Sequence, residues 1–201
     1  MILKVGITGG MGSGKSTVSK VFEVLGIPIY YADDAAKRLM NEDEQLKVQL
    51  RKLFGDETYI DGALNRKYLS SLVFNDAEKL ALLNSIVHPA TLRDTGQWML
   101  QQKAPYAIKE AALIFESGAH QQLDYVIGVY APATLRIQRV MKRDQISREE
   151  VKLRMEKQID EGIKMRLCDY VVTNDEQQLV IPQVLKLHEA FMAMRRNTFV
   201  P

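Results

Sequence analysis

Ile2-Leu3-Lys4-Val5-Gly6-Ile7-Thr8-Gly9-Gly10-Met11-Gly12-Ser13-Gly14-Lys15-Ser16-Thr17 opens the chain with an apolar run that enters a complete G-x-x-x-x-G-K-[ST] pattern. Glycines at these spacings let successive backbone N–H groups converge on phosphate oxygens, and a helix starting near Lys15 directs its partial positive end at the same anion. The side chain of Lys15 then reaches the β- and γ-phosphates, and the hydroxyl of Ser16 ligates magnesium. The context agrees: a β-rich run precedes the loop, and Val18, Val21, Phe22 and Leu25 recur at helical spacing after it. A dinucleotide-binding reading fails, because the G-x-G-x-x-G frame starting at Gly10 requires glycine where Lys15 stands. The loop therefore predicts a bound nucleotide, with the backbone and side chains from Gly10 to Thr17 (Gly10, Met11, Gly12, Ser13, Gly14, Lys15, Ser16 and Thr17) as its phosphate site.

Four further runs have β character: 26–32, 106–111, 125–130 and 170–174. Helical patterns separate them, which predicts a five-stranded, parallel, doubly wound α/β sheet. Between Ala35 and Gln102 no clear strand is seen, and apolar residues fall at three- and four-residue steps, punctuated by Gly55, Asp61-Gly62 and Pro89. Ligands of such sheets sit at the carboxyl ends of the strands. That rule singles out Asp33, the segment Ala112 to Glu116, Ala131-Pro132 and Asn174 along with the loop.

The chain has 201 residues, 27 basic and 25 acidic, for a net charge of +2. A balance this even argues against a duplex nucleic acid or anionic membrane partner. The one cysteine, Cys168, rules out an internal disulfide and reads as a small packing residue. No apolar run approaches the ~20 residues of a membrane span, so the expected location is the cytoplasm. Met192, Met194 and Phe191 read as helix packing.

Two carboxylates follow the second strand. Asp33 either takes a proton from the acceptor hydroxyl or caps the next helix, and the pattern leaves both readings open. Ten of the 27 basic residues lie between Arg136 and Arg166. Arg136, Arg139 and Arg143 share a helix face, and Ser147 with Glu150 forms a capping-box pattern opening a second helix that carries Arg154 and Gln158. Such a hairpin is either a lid over transferring phosphate or a solvated pair of helices.

Together these stretches resemble the dephospho-coenzyme A kinases over nearly the whole chain. The carriers are Thr8 to Thr17; Tyr31-Ala32-Asp33-Asp34-Ala35-Ala36-Lys37; Gly62-Ala63-Leu64-Asn65-Arg66; Leu83 to Pro89; Ala112-Leu113-Ile114-Phe115-Glu116; and, toward the C-terminus, Arg139, Arg143-Asp144, Arg154, Gln158, Cys168-Asp169 and Asn174. Tyr31 stands where the family has its first aspartate, and Ala112 where it has proline. The resemblance implies a P-loop kinase core over 1–37, 104–140 and 167–201, a helical acceptor-binding insertion over 38–103 and a helical lid over 141–166. It implies phosphorylation of the ribose 3′-hydroxyl of dephospho-coenzyme A by ATP with Mg²⁺. Asp33 becomes the base, aided by Lys15, Arg139 and Arg143; Asn174 neighbours adenine. Asp33, Arg66, His88, Leu113, Phe115 and Glu116 contact the acceptor, and either Glu110 or Glu116 supports the metal's waters. A monomer or weak homo-oligomer is expected. The rivals are a nucleoside or nucleotide kinase and a slowly hydrolysing nucleotide switch.

Overall fold

Val5 and Ile7 are fully buried and lie two residues apart, so both point to one face of the first strand, β1 (Leu3–Thr8). The computed structural model describes residues 2–74 and 76–197. It divides into two compact units, Met1–Tyr30 with Met99–Pro201, and Tyr31–Trp98. The first contains the sheet, in the order β2 (Ile29–Tyr31), β5 (Tyr106–Glu110), β1, β6 (Tyr125–Tyr130) and β7 (Tyr170–Thr173). β1 is central and pairs in parallel with both neighbours: Val5 lies opposite Ile108 on one side and Tyr125 on the other, and β7 continues in parallel from β6. The five expected strands are those of the sheet. Parallel pairs require crossover connections, and α1 (Lys15–Val24), α6 (Ala133–Asp144), α7 (Arg148–Met155) and α8 (Glu161–Arg166) lie along them, while α9 (Val180–Asn197) follows the last strand.

The core of this unit brings Val5, Ile7, Ile108, Ile127, Val129 and Val172 of the sheet against Val18 and Phe22 of α1 and Val184 and Phe191 of α9. Phe191 is its aromatic hub. Its ring centroid lies 5.3 Å from Tyr106, 5.5 Å from Tyr170 and 5.9 Å from Tyr125. Tyr106 is fully buried, and its hydroxyl meets His188 Nδ1 at 2.7 Å, so the polar tip is satisfied inside the core. Met192 and Met194 pack against the same cluster, as the helical reading expects.

The second unit holds α2 (Ala32–Glu42), α3 (Glu44–Phe54), β3 (Tyr59–Ile60), β4 (Ala63–Leu64), α4 (Arg66–Val73) and most of α5 (Ala77–Leu100). Its own core comprises Leu39, Leu46, Leu50, Phe54, Tyr59, Leu69, Val87 and Ala90. Asp43 caps α3 by accepting the Leu46 N–H, and Gly55 ends the helix at φ 89°. Two expectations change here. β3 and β4 form an antiparallel hairpin in a stretch read as free of strands. Asp61 and Gly62 both have positive φ, 50° and 81°, the geometry of a tight two-residue hairpin turn. The flanking strands have only two residues each, too short to show alternation. Pro89, read as a break, instead lies inside the 24-residue helix α5. It forfeits one backbone hydrogen bond, while Thr91 and Thr95 hydroxyls donate to the carbonyls of Val87 and Thr91 in the same stretch.

Truncating the hub should be expensive. Phe191→Ala is expected to destabilise the protein by roughly 3–5 kcal/mol, and Phe191→Leu by clearly less, read as shifts of the urea midpoint at constant slope.

Candidate active site

The loop between β1 and α1 is tied down on its outer side. Asn174, just past β7, donates from Nδ2 to the Ser13 carbonyl at 2.9 Å, and a methyl placed on Gly14 would collide with that amide. Gly14 sits at φ 96°, a conformation other residues resist, so it is needed both for its backbone and for its lack of a side chain. Arg139 of α6 donates to the Asn174 carbonyl at 3.1 Å and to Glu176 at 3.1 Å. Ser13, Asn174 and Arg139 thus form one chain of hydrogen bonds.

Within the loop, the N–H of Ser13 bonds the Gly10 carbonyl, and those of Thr17 and Val18 bond the Gly14 carbonyl. The first-turn amides ahead of Thr17 are the ones that a phosphate can take, and the helix dipole favours an anion there. Lys15 Nζ donates to the Gly9 carbonyl at 2.9 Å, folding back over the loop. Ser16 and Thr17 are exposed at the helix start. No group of three or more His, Cys, Asp or Glu suited to a metal ion exists among the described residues. This donor set suits Mg²⁺, which keeps most of its waters and takes one or two protein oxygens alongside phosphate; Ser16 is the oxygen available.

The segment after β5 is braced by a residue that sequence reading missed. Lys164 of α8 is fully buried; its Nζ donates to the Ala112 carbonyl at 3.0 Å and pairs with Glu116 at 2.9 Å. Glu116 also accepts the Ile159 N–H at 3.1 Å. Burial raises the Glu116 carboxyl, but the hydrogen bonds from Lys164 and backbone N–H groups outweigh it and hold the group below its ordinary 4.5. Glu116 is therefore engaged in a structural ion pair. Leu113 and Phe115 lie half-buried beside it, the Leu113 carbonyl accepting from Ser117. Glu110 is buried at the end of β5, in register with Ile7 of β1.

The three arginines expected on one face part company. Arg136 is buried against Glu161, Arg139 turns to Asn174, and Arg143 forks onto the neighbouring Asp144 at 2.7 and 3.0 Å. Arg143 is about two-thirds exposed. The capping box at Ser147 and Glu150 is present, but α7 ends at Met155, so Gln158 lies beyond the helix that was expected to carry it. Its side chain instead accepts the Met11 N–H at 3.1 Å. Cys168 donates to the Lys164 carbonyl, and burial pushes its thiol up to about 12, in keeping with a packing role.

In the second unit, Asp33 does not cap a helix. α2 begins at Ala32 with Tyr31 as its cap residue, which places Asp33 and Asp34 in the first turn. Asp34 pairs with Lys37, and Asp33 is exposed. A carboxylate here gains from the helix dipole. Arg66 is exposed at the start of α4, whose cap is Asn65, and His88 is half-buried on α5. Arg38 joins α2 to α5 through Asp94 at 2.6 Å.

Residues 3–179 match the family described as dephospho-CoA kinase. The chain belongs to that family. It is 35% identical over 188 residues to the dephospho-CoA kinase of Bacteroides fragilis, covering 93% of this chain and 92% of that one. A solved protein of Thermus thermophilus superposes with TM-score 0.81 at 33% identity, covering 96% and 97% of the two chains. The dephospho-CoA kinase of Campylobacter jejuni superposes at 0.71 with 27% identity, covering 96% and 98%. Among the described residues of this kinase-family chain, no helix is long and apolar enough to cross a membrane.

The Lys164–Glu116 pair carries a pH signature. Because the folded carboxyl is depressed, its stabilisation is complete above the ordinary carboxylate range and is lost as pH falls through the folded value. Glu116→Gln is expected to lose roughly 1–3 kcal/mol at pH 7, and the gap to the unsubstituted protein should narrow only as pH falls below the ordinary carboxylate range, measured by urea unfolding across pH.

Proposed function

We infer that this chain transfers the γ-phosphoryl group of ATP to dephospho-coenzyme A, giving coenzyme A and ADP, with the ribose 3′-hydroxyl as the acceptor. The observation that carries the reading is the loop from Gly10 to Thr17 in a chain of this family, braced by Asn174 and opening on first-turn amides. Lys15 and the amides of Gly12, Gly14 and Ser16 are proposed to bind the triphosphate. The Ser16 hydroxyl would hold magnesium, which would supply charge neutralisation at the phosphates.

Asp33 is proposed as the group that orients the acceptor hydroxyl and takes its proton. Its exposure on the first turn of α2 supports this, as does its freedom from the ion pair that engages Asp34. Arg139 is proposed to face the nucleotide, with Arg143 swinging in from its exposed pairing to neutralise charge as the hairpin over 141–166 closes. Asn174 flanks the base. Arg66 and His88, with Leu113, Phe115 and the backbone at Glu116, contact dephospho-coenzyme A; the acceptor region is 38–103, and the core is 1–37, 104–140 and 167–201. Either Glu110 or Glu116 would hold the metal's waters. A cytoplasmic monomer or weak homo-oligomer, without nucleic acid or membrane partners, completes the reading.

Asp33→Asn is expected to lower kcat on the order of 10²–10⁴-fold while leaving calorimetric binding of a non-hydrolysable ATP analogue unchanged. ADP release should be fast with dephospho-coenzyme A and negligible with adenosine, nucleoside monophosphates or water. Turnover on a nucleoside monophosphate alone would favour the nucleotide-kinase reading, and equal phosphate release with or without acceptor would favour a hydrolysing switch.

A further inference from the structure

The crown of the loop, Gly10 and Met11, is held by side chains from outside it. The Gly10 N–H donates to Glu161 Oε1 at 3.3 Å, and the other oxygen of that carboxylate accepts Arg136 Nη1 at 3.2 Å. Both partners are desolvated, with side chains 7% and 11% exposed for Arg136 and Glu161. A methyl on Gly10 would overlap the Arg136 guanidinium and the Glu161 carboxylate, so the backbone approaches the ion pair as closely as glycine permits. Met11 adds two contacts: its N–H bonds Gln158, and its side chain packs with Ile137, Val140 and Val151 of α6 and α7.

The segment bearing Glu161 is fixed at its other end, where Lys164 grips Ala112 and Glu116. Glu161 is thus presented by an anchored element, and the loop conforms to it. A buried ion pair is a poor source of stability, since desolvation offsets its attraction, and the Arg136 Nε–H lies buried with no partner among the described residues. An arrangement that costs stability, placed on the crown of a ligand loop, calls for a role in that loop's geometry.

We propose that Arg136 and Glu161 are positioning residues that set the crown of the loop for ATP, leaving the first-turn amides aligned on the phosphates. Neither touches the reacting atoms. The proposal rests on the assignment of ATP to this loop, and the effect is confined to the nucleotide side of the reaction.

The test compares Arg136→Met, Glu161→Gln, the double variant and the conservative Arg136→Lys with the unsubstituted enzyme. Readouts are calorimetric binding of a non-hydrolysable ATP analogue, KM for ATP and for dephospho-coenzyme A, kcat and Tm. Arg136→Met should raise the analogue Kd and the ATP KM on the order of tenfold, leaving the dephospho-coenzyme A KM unchanged. Arg136→Lys should recover much of the loss, and the double variant should be no worse than the poorer single one. Unaltered ATP binding in both single variants overturns the proposal. So does a proportional loss in both KM values and kcat that tracks a fall in Tm, because that is general loosening. Lys15→Ala serves as the control: if it also binds the analogue normally, the assignment of ATP to the loop is what fails.

Discussion

A loop that offers its amides to an anion cannot stabilise itself with them. The glycines between Gly9 and Gly14 contribute no side-chain packing and lose the most conformational freedom on ordering, so the shape of the loop must be imposed by neighbours. In this protein the neighbours are specific: Asn174 holds Ser13, Gln158 and Glu161 hold the crown, and the side chain of Met11 packs against the helices that follow β6. The rest of the first unit can be understood as the scaffold that brings these groups to one end of β1.

That scaffold has a division of labour. The central sheet supplies rigidity through residues buried on both sides, with Val5 and Ile7 fully enclosed on one face of β1 and Thr8 on the other. The segment from Gln158 to Lys164 supplies connection, because it contacts the loop crown at one end and Ala112 and Glu116 at the other. Lys164 is the costly member: a fully buried amine is tolerable only with a carboxylate and a carbonyl in reach, and both are present.

The sheet was legible because its strands are short β-branched and aromatic runs such as Tyr125-Val126-Ile127-Gly128-Val129-Tyr130, bounded by polar punctuation. The phosphate loop was legible because its spacing encodes a backbone shape. What escaped was anything decided by tertiary contact. Lys164 looks like any surface lysine in a charged segment, and its burial follows only from where β5 and its turn end. The common face of Arg136, Arg139 and Arg143 was a sound helical inference, yet three different partners, Glu161, Asn174 and the adjacent Asp144, pull the guanidinium groups apart. The β3–β4 hairpin carried its Asp61-Gly62 signal openly, but two-residue strands give periodicity nothing to work on. Asp33 illustrates the reverse case: its helix starts at Ala32, ahead of the polar pair, which removed the capping alternative.

The order of residues in the two units has a consequence for synthesis. The unit from Tyr31 to Trp98 is one uninterrupted segment with its own core, so it can fold as soon as it clears the ribosome. β1 emerges earlier but waits longer, since its hydrogen-bonding partners β5 and β6 begin only at Tyr106 and Tyr125. For the seconds in between, Val5 and Ile7 sit on a nascent strand with two unpaired edges. β1 is made well before its partners and is finished only after them, and the interval before Tyr106 emerges is when this chain is most open to chaperones and to misassociation.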